Sequence, residues 1–277
     1  MKEFEFSSRT YIMGILNITP DSFSGDGIYD DIDSAIKRGE SIAQEGADII
    51  DIGGESTRPS SRSVALEEEI KRVIPVIKRL KKLLKIPISI DTRKAEVALR
   101  ALDNGALIVN DITGLASDER MLEVVSRYNA KVVIMHIKGD PFSMQQNPTY
   151  RSLIPEIIDK LRQLVEKAEE KGVKKENIII DPGIGFGKTF EHNLEILNNL
   201  SRFKILGKPI LVGPSRKSFI GNILGLEAGK RIFGTAASAA IAIKNGADII
   251  RVHDVKEMKE LSRVTDAILH SGVTVNA

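Results

Sequence analysis

Short apolar runs rich in β-branched residues recur along the chain, and longer segments with apolar positions at helical spacing separate them. Runs this short and this continuously apolar are typical of parallel strands buried on both faces by crossover helices. The predicted strands cover residues 11–16, 49–52, 86–90, 107–109, 132–135, 178–180, 210–212 and 249–252. Regular alternation of strand and helix predicts an α/β fold.

A short internal repeat supports this alternation. The sequence Gly-Ala-Asp-Ile-Ile begins at both Gly46 and Gly246, and the related Gly-Ala-Leu-Ile-Val begins at Gly105. Each glycine is placed where a left-handed cap would end a helix before the next strand. Residues 65–84 carry apolar positions at helical spacing and predict a helix in spite of Pro75, which is expected to kink it.

Eight strand-helix units in 277 residues favour a (β/α)8 TIM barrel, formed as a single domain over residues 1–277. The alternative on periodicity alone is an open, doubly wound α/β sheet, which has fewer strands. No linker or low-complexity tract divides the sequence.

Composition narrows the classes of function. With 40 basic and 38 acidic residues, the chain lacks the basic excess of a nucleic-acid-binding protein. It has no cysteine, which excludes disulfides, thiolate metal sites and a cysteine nucleophile, so a metal would need oxygen or imidazole ligands. The start lacks the pattern of a signal peptide, and no apolar run is long enough for a membrane span. A soluble cytoplasmic protein with no membrane or nucleic-acid partner is expected.

Polar residues follow each predicted strand, where a TIM barrel builds its active site. Any one could be structural: Asp91 could cap the next helix, and Asp111 or Asp181 could form an Asx turn. Their placement together predicts a ligand site. The series is Asn17, Asp51 with Glu55, Asp91, Asn110, His136, Asp181, the turn at 213–217, and Arg251 with His253.

The residue types indicate the ligand's chemistry. Arg216, Lys217 and Arg251 follow the last two strands, where barrels often hold phosphate, and Asp91 and Asp181 could accept hydrogen bonds from a heterocycle. These features predict a phosphorylated ring that bears an amine. Polar loops at 17–26 and 53–59 are suited to be mobile lids. No Ser-His-Asp set or zinc triad is convincingly spaced.

Segments in a fixed order resemble the dihydropteroate synthase family, from Met13 to about Val255. They read MGILNITPDSFSGDG, GADIIDIGGESTRP, ISIDTRKAEVA, VNDITG, VIMHIKGDP, IIIDPGIGFGKTFEHNLEIL, VGPSRKSFIG, GTAASAA and ADIIRVHD. The resemblance implies a transferase of folate biosynthesis, a sulfonamide target, which condenses 6-hydroxymethyl-7,8-dihydropterin diphosphate with p-aminobenzoate to give 7,8-dihydropteroate and diphosphate. It also implies Mg²⁺ as cofactor and a homodimer formed through late helices such as residues 234–244.

The same resemblance implies roles for single residues. Those that would hold the pterin ring are Asp91, Asn110, Asp181 and Lys217, and Met135 is a further substrate-binding residue. The diphosphate and Mg²⁺ would lie at Asn17, Arg251 and His253, with Asn17 as the metal ligand. The p-aminobenzoate pocket, where sulfonamides compete, would comprise Phe23, Thr57, Arg58, Pro59, Phe186 and Ser218. The residues expected to carry catalysis are Asp91, Asp181, Lys217, Arg251 and His253.

Two other functions could use the same barrel. One is the pterin-binding domain of a corrinoid methyltransferase, which has no diphosphate to grip, so the cations at 215–218 and 251–253 argue against it. The other is a non-catalytic pterin-binding paralogue. Such a paralogue should have lost the lids or Asn17, and both are present here.

Overall fold

A computed structural model describes residues 4, 6, 8–19, 31–56, 63–140 and 143–271. Phe23, Thr57, Arg58 and Pro59, with most of the two expected lids, lie outside these residues. The strands are β1 (Tyr11–Asn17), β2 (Ile49–Gly53), β3 (Ile88–Asp91), β4 (Ile108–Asp111), β5 (Lys131–Met135), β6 (Ile178–Asp181), β7 (Leu211–Val212) and β8 (Ile249–Val252). Each predicted run overlaps one of them, and no end differs by more than two residues.

All pairings between these strands are parallel, in the order β6-β5-β4-β3-β2-β1-β8-β7. The two outer strands meet through a parallel bridge between Ile180 and Ile210. There the Ile180 N–H donates to the carbonyl of Pro209 at 2.9 Å. The sheet therefore closes on itself, which confirms the TIM barrel and excludes the open sheet.

Helices follow the strands and pack around the barrel. They are α1 (Ile32–Gln44), α2 (Leu66–Leu83), α3 (Ala95–Asp103), α4 (Met121–Arg127), α5 (Leu153–Glu170), α6 (Phe190–Asn198), α7 (Ser218–Leu224), α8 (Ile232–Lys244) and α9 (Val255–Leu269). The predicted helix at 65–84 is α2, which continues through Pro75. Within the described residues, none of these helices has the length and apolarity needed to cross a membrane.

The repeated glycines lie at the predicted turns. Gly46, Gly105 and Gly246 have φ angles of 104°, 103° and 98° and join α1 to β2, α3 to β4 and α8 to β8. Backbone at positive φ costs glycine little, because it has no Cβ. The repeat thus marks the same helix-to-strand turn in separate units of the barrel.

Apolar side chains form two separate cores. The larger lies between the strands and the surrounding helices. The smaller fills the inside of the barrel and consists of Tyr11, Met13, Ile49, Ile108, Val133, Ile179, Leu211 and Ile249. Phe4 and Phe6 pack against it, with their rings 5.1 and 5.6 Å from that of Tyr11.

Strand periodicity places the polar residues directly above the inner core. Because side chains two residues apart point to the same face, Asp51 follows Ile49 on the inside of the barrel, and Asp181 likewise follows Ile179. The residues of this second layer are Ile15, Asp51, Asp91, Asn110, Met135, Asp181, Gly213 and Arg251. The barrel interior is therefore apolar below and polar towards the carboxyl ends of the strands.

The helices pack closely against the outward face of β1, at Gly14. A Cβ on Gly14 would lie 2.5 Å from Cγ2 of Ile42 and 2.9 Å from Cγ2 of Val255. Overpacking of this kind costs roughly 1–3 kcal/mol, so we expect Gly14→Ala to lower the free energy of unfolding by that amount in urea denaturation. In the matched control Gly229→Ala, where nothing lies within 4 Å of the added Cβ, the change should stay below about 1 kcal/mol. Equal stability of the two variants would contradict this account of the packing.

Candidate active site

A cavity of about 370 Å³ opens at the carboxyl ends of the strands. It brings together most of the described residues that the sequence analysis assigned to a site. The predicted residues in its lining are Asn17, Asn110, Met135, Asp181, Phe186, Lys217, Ser218, Arg251 and His253. Asp91 lies next to this lining, because its carboxylate accepts a hydrogen bond from Arg251.

Asp181, at the end of β6, has a structural contact and also faces the cavity. Its Oδ1 accepts from the backbone N–H of Gly183 at 2.7 Å, which is the Asx turn considered as an alternative. Asp111 makes the same turn with the N–H of Thr113, also at 2.7 Å. Burial raises the pKa of Asp181 to about 6, although the Gly183 N–H and Lys217 act in the opposite direction. The Asx turn uses only one carboxylate oxygen, which leaves the second for a ligand.

Asp91, at the end of β3, does not cap the following helix. The residue before α3 is Lys94, and its N–H is bound by the hydroxyl of Thr92 at 3.2 Å. Oδ2 of Asp91 instead accepts from Nη2 of Arg251 at 2.6 Å. Burial raises the pKa of Asp91 to about 7; Arg251 opposes this rise and Asp51 adds to it.

Arg251 joins the acidic residues of two strands at the mouth. It reaches Asp51 as well as Asp91, with Nε 2.6 Å from Oδ2 of Asp51. The same oxygen of Asp51 accepts from Nδ2 of Asn110 at 3.0 Å. The sequence analysis assigned Arg251 to the phosphate and Asp91 to the heterocycle, whereas the structure shows the Arg251 guanidinium in contact with Asp91 and Asp51.

The turn after β7 carries two basic side chains with different partners. Nζ of Lys217 lies 4.2 Å from the ring centroid of Phe186, and burial lowers the pKa of Lys217 to about 8 against the influence of Asp181. Arg216 is instead paired with Asp254, at 3.0 and 2.5 Å. Lys217 is thus the residue of this turn whose cation packs on an aromatic ring and is attracted by a buried carboxylate.

His253, just after β8, is held by the turn after β7. Its Nδ1 lies 2.9 Å from Oγ of Ser215, and its backbone N–H donates to the same oxygen at 3.3 Å. Ser215 also lines the cavity, but the sequence analysis gave it no role. The hydroxyl fixes the imidazole beside Arg251 at one side of the mouth.

His136 follows β5 but is not part of the cavity lining. Its Nδ1 lies 3.0 Å from the buried Nζ of Lys188, which also donates to the carbonyls of Gly183 and Phe186 at 3.1 and 2.8 Å. Burial, reinforced by Lys188, lowers the pKa of His136 to about 2, and burial lowers that of Lys188 to about 7. The contacts of Lys188 and His136 hold the glycine-rich loop at residues 181–188, which carries Phe186.

Besides Ser215, sequence reasoning missed the roles of two further buried residues. Asp51 was named among the strand-end residues but given no function, although its position two residues after Ile49 places it in the polar layer. Lys188 stands in the segment IIIDPGIGFGKTFEHNLEIL and was given no role. Its contacts depend on how the loop folds back over β5, which no local pattern shows.

Comparisons with known proteins agree with this geometry. Residues 13–253 match the family described as pterin binding enzyme. A dihydropteroate synthase of Clostridium beijerinckii is 50% identical over 97% of this chain and 97% of its own length.

Two solved structures are similar over nearly the whole chain. A dihydropteroate synthase of Clostridium difficile, determined in the presence of pteroic acid, has a TM-score of 0.90 at 50% identity and covers 96% of this chain and 99% of its own. The Yersinia pestis enzyme in a sulfonamide complex has a TM-score of 0.92 at 40% identity, with 95% of each chain covered. This chain belongs to the dihydropteroate synthase family of pterin-binding enzymes.

Proposed function

We propose that this chain joins p-aminobenzoate to 6-hydroxymethyl-7,8-dihydropterin diphosphate and releases 7,8-dihydropteroate and diphosphate. The observation that carries the proposal is a cavity in which acceptors for a nitrogenous ring, Asp181 and Asn110, stand beside Lys217, Arg251 and His253. Its volume of about 370 Å³ is in the range of small-molecule sites. The relatives named dihydropteroate synthase support the reaction.

The pterin ring belongs at the floor of the cavity. Asp181 and Asn110 stand in the polar layer of the barrel and can accept from the ring N–H and amine groups, while Met135 offers an apolar surface there. Buried acceptors of this kind penalise a ring that lacks the donors. Asp91 stands next to these residues and accepts a hydrogen bond from Arg251, which lines the same cavity.

The diphosphate belongs at the side of the mouth formed by the ends of β7 and β8. Arg251 and His253 line the cavity there, and Ser215 orients the imidazole. Fixed donors and positive charge at this position stabilise the negative charge that develops on the leaving group. p-Aminobenzoate belongs beside Phe186 and Ser218, which line the same cavity.

The reaction exchanges one bond for another at the methylene carbon of the pterin. Its C–O bond breaks and the electron pair leaves with the diphosphate, and the arylamine nitrogen then forms the new C–N bond and loses a proton to solvent. Asp181 stabilises the positive charge that grows on the pterin, while Arg251 and His253 stabilise the departing anion. No protein group has to accept the proton, because water suffices.

The residues of this site could hold a magnesium ion only together with the substrate's diphosphate. Within the described ranges, no three His, Asp or Glu side chains are grouped to hold a metal. Asn17 offers one amide oxygen at the mouth, and Mg²⁺ commonly keeps several waters and binds through one or two protein oxygens plus substrate phosphate. Asn17 would therefore hold an ion that binds together with the diphosphate, and the ion would add positive charge against the leaving group.

The proposal extends to a homodimer. Exposed apolar residues lie on α8 and α9, which pack against each other: Phe233 is 84% exposed, Val264 62% and Ile268 68%. Exposed apolar side chains on two neighbouring helices support an association surface on this face. The cytoplasmic location stays a prediction.

The two alternative functions are less well supported. A corrinoid methyltransferase has no use for Arg251 and His253 around an anion site, and a non-catalytic paralogue has no need to keep Asn17 with them. Binding of a pterin without turnover would favour the paralogue.

The reaction itself is tested by diphosphate release. We expect release to require both dihydropterin diphosphate and p-aminobenzoate, to stop on addition of EDTA and to return with excess Mg²⁺. Mass spectrometry of the product should show 7,8-dihydropteroate. Release that does not depend on p-aminobenzoate would indicate hydrolysis and would contradict the proposal.

Substitutions at the cavity floor should weaken pterin binding. Asp181→Asn would place an amide N–H₂ where a ring donor now finds an acceptor, and Lys217→Ala removes the cation beside it. Losing one buried charged hydrogen bond costs about 2–4 kcal/mol, which is roughly a 30- to 900-fold rise in Kd. Calorimetry with 6-hydroxymethylpterin measures this. The control Asp159→Asn alters an exposed carboxylate on α5 and should leave Kd unchanged. Wild-type affinity in either cavity variant would exclude the assigned role.

Pterin binding should also depend on pH. The pKa values of Asp181 and Asp91 are raised to about 6 and about 7, so both carboxyls gain protons as pH falls through that range and accept hydrogen bonds less well. We expect Kd for the phosphate-free pterin to rise as pH is lowered from 7.5 to about 5. The dependence should be shallower in Asp181→Asn, which has one titrating group fewer. An unchanged slope in that variant would show that Asp181 is not one of the groups involved.

A further inference from the structure

Asp51 stands in the same polar layer as the residues assigned to substrate and contacts two of them. It is completely buried. Its Oδ2 accepts both from Nδ2 of Asn110, at 3.0 Å, and from Nε of Arg251, at 2.6 Å. Its Oδ1 has no hydrogen-bond partner among the residues that the structure describes.

The contact with Asn110 determines which way the amide faces. A carboxylate oxygen only accepts hydrogen bonds, so the Asn110 atom next to it must be the N–H₂ group. The other branch of the amide is the carbonyl oxygen, and Asn110 lines the cavity. Without a fixed acceptor beneath it, the same side chain could turn over and present donors to a ligand.

We propose that Asp51 is a positioning residue that locks the Asn110 amide with its carbonyl oxygen towards the ligand. The site then offers an acceptor at this point and selects rings that carry an N–H or amino donor there. The selectivity rests on the proposed function, because the ligand is taken to be a pterin. The orientation of the amide does not depend on that assignment.

Asp51 also contacts Arg251, so loss of affinity alone would not separate the two effects. Asp51→Asn provides the separation. One oxygen of Asp51 accepts both hydrogen bonds, and an asparagine carbonyl in the same place can accept both while its N–H₂ takes the position of the unpartnered Oδ1. This variant removes the charge but keeps the acceptor for Asn110, whereas Asp51→Ala removes both.

The first experiment observes the amide directly in ligand-free protein. In ¹⁵N-labelled protein, the Asn110 side-chain N–H₂ signals are assigned by their absence in Asn110→Ala. We expect one proton to exchange slowly in wild type, in Asp51→Asn and in the control Asp159→Asn, and to exchange at least tenfold faster in Asp51→Ala. Equal exchange in Asp51→Ala and wild type would overturn the proposal, whatever reaction the enzyme performs.

The second experiment measures selectivity. Kd is compared for 6-hydroxymethylpterin and for the analogue with oxygen in place of the ring's amino group. We expect the preference for the pterin to fall at least tenfold in Asp51→Ala and less than threefold in Asp51→Asn. In an Asn110→Ala background, adding Asp51→Ala should change the preference less than twofold, because Asp51 acts through Asn110.

An undiminished preference in Asp51→Ala, or a further large fall in the double variant, would overturn the proposal. If Asp51→Ala does not fold, Asp51→Ser takes its place, since a hydroxyl can donate or accept and so does not fix the amide. Failure of the proposed function would show separately, as a wild-type enzyme that does not turn over p-aminobenzoate.

Discussion

The closed barrel has one interior, and the two-residue period of its strands decides what fills each level. The residues Ile49, Ile108, Ile179 and Ile249 form part of the apolar layer, and two positions later the same strands carry Asp51, Asn110, Asp181 and Arg251. The apolar layer beneath and the strands at the sides shield the polar layer from water except at the mouth, where the cavity opens. Hydrogen bonds and charge pairs in this layer are therefore stronger than they would be on the surface.

Burying these titratable groups makes the free energy of unfolding depend on pH, and the direction of that dependence differs between the acids and Lys217. Asp91 and Asp181 have pKa values raised to about 7 and about 6, against 3.8 for an ordinary Asp, so the folded chain keeps protons that the unfolded chain releases. Their contribution makes stability fall as pH rises from about 4 to 7. For Lys217 the pKa falls from 10.5 to about 8, so its contribution makes stability rise with pH between those values. Near neutrality, burial destabilises the charged forms of these groups, which are the forms that bind a ligand. A ligand with matching hydrogen-bond donors and charge offsets part of this desolvation cost.

The strands and the mouth of the barrel were predictable because their signals are local. A β-branched run followed by a polar residue marks a strand and its end, and this pattern located Asp91, Asn110 and Asp181 correctly at the end of the barrel that holds the cavity. Pairing across the barrel was not predictable. That Arg251 contacts Asp51 and Asp91, two hundred and one hundred and sixty positions away, follows from the stagger of strands around a closed sheet, which no window of the sequence contains.

The glycine-rich segment after β6 shows why resemblance to a family does not by itself separate binding residues from supporting ones. Within it, Asp181 and Phe186 line the cavity, whereas Lys188 is turned away and binds loop carbonyls and His136. Gly183 has a φ of 75°, and a Cβ there would lie 2.0 Å from the carbonyl oxygen of His136. A single motif thus combines residues that face the ligand with residues that only hold the loop.

Burial does not distinguish binding residues from supporting ones, since Asp181 and Lys188 are both buried. The distinction is whether the polar atoms of a side chain are all hydrogen-bonded within the protein or face the cavity. Asp51 lies between these classes, because its hydrogen bonds are all to protein and yet both of its partners line the site.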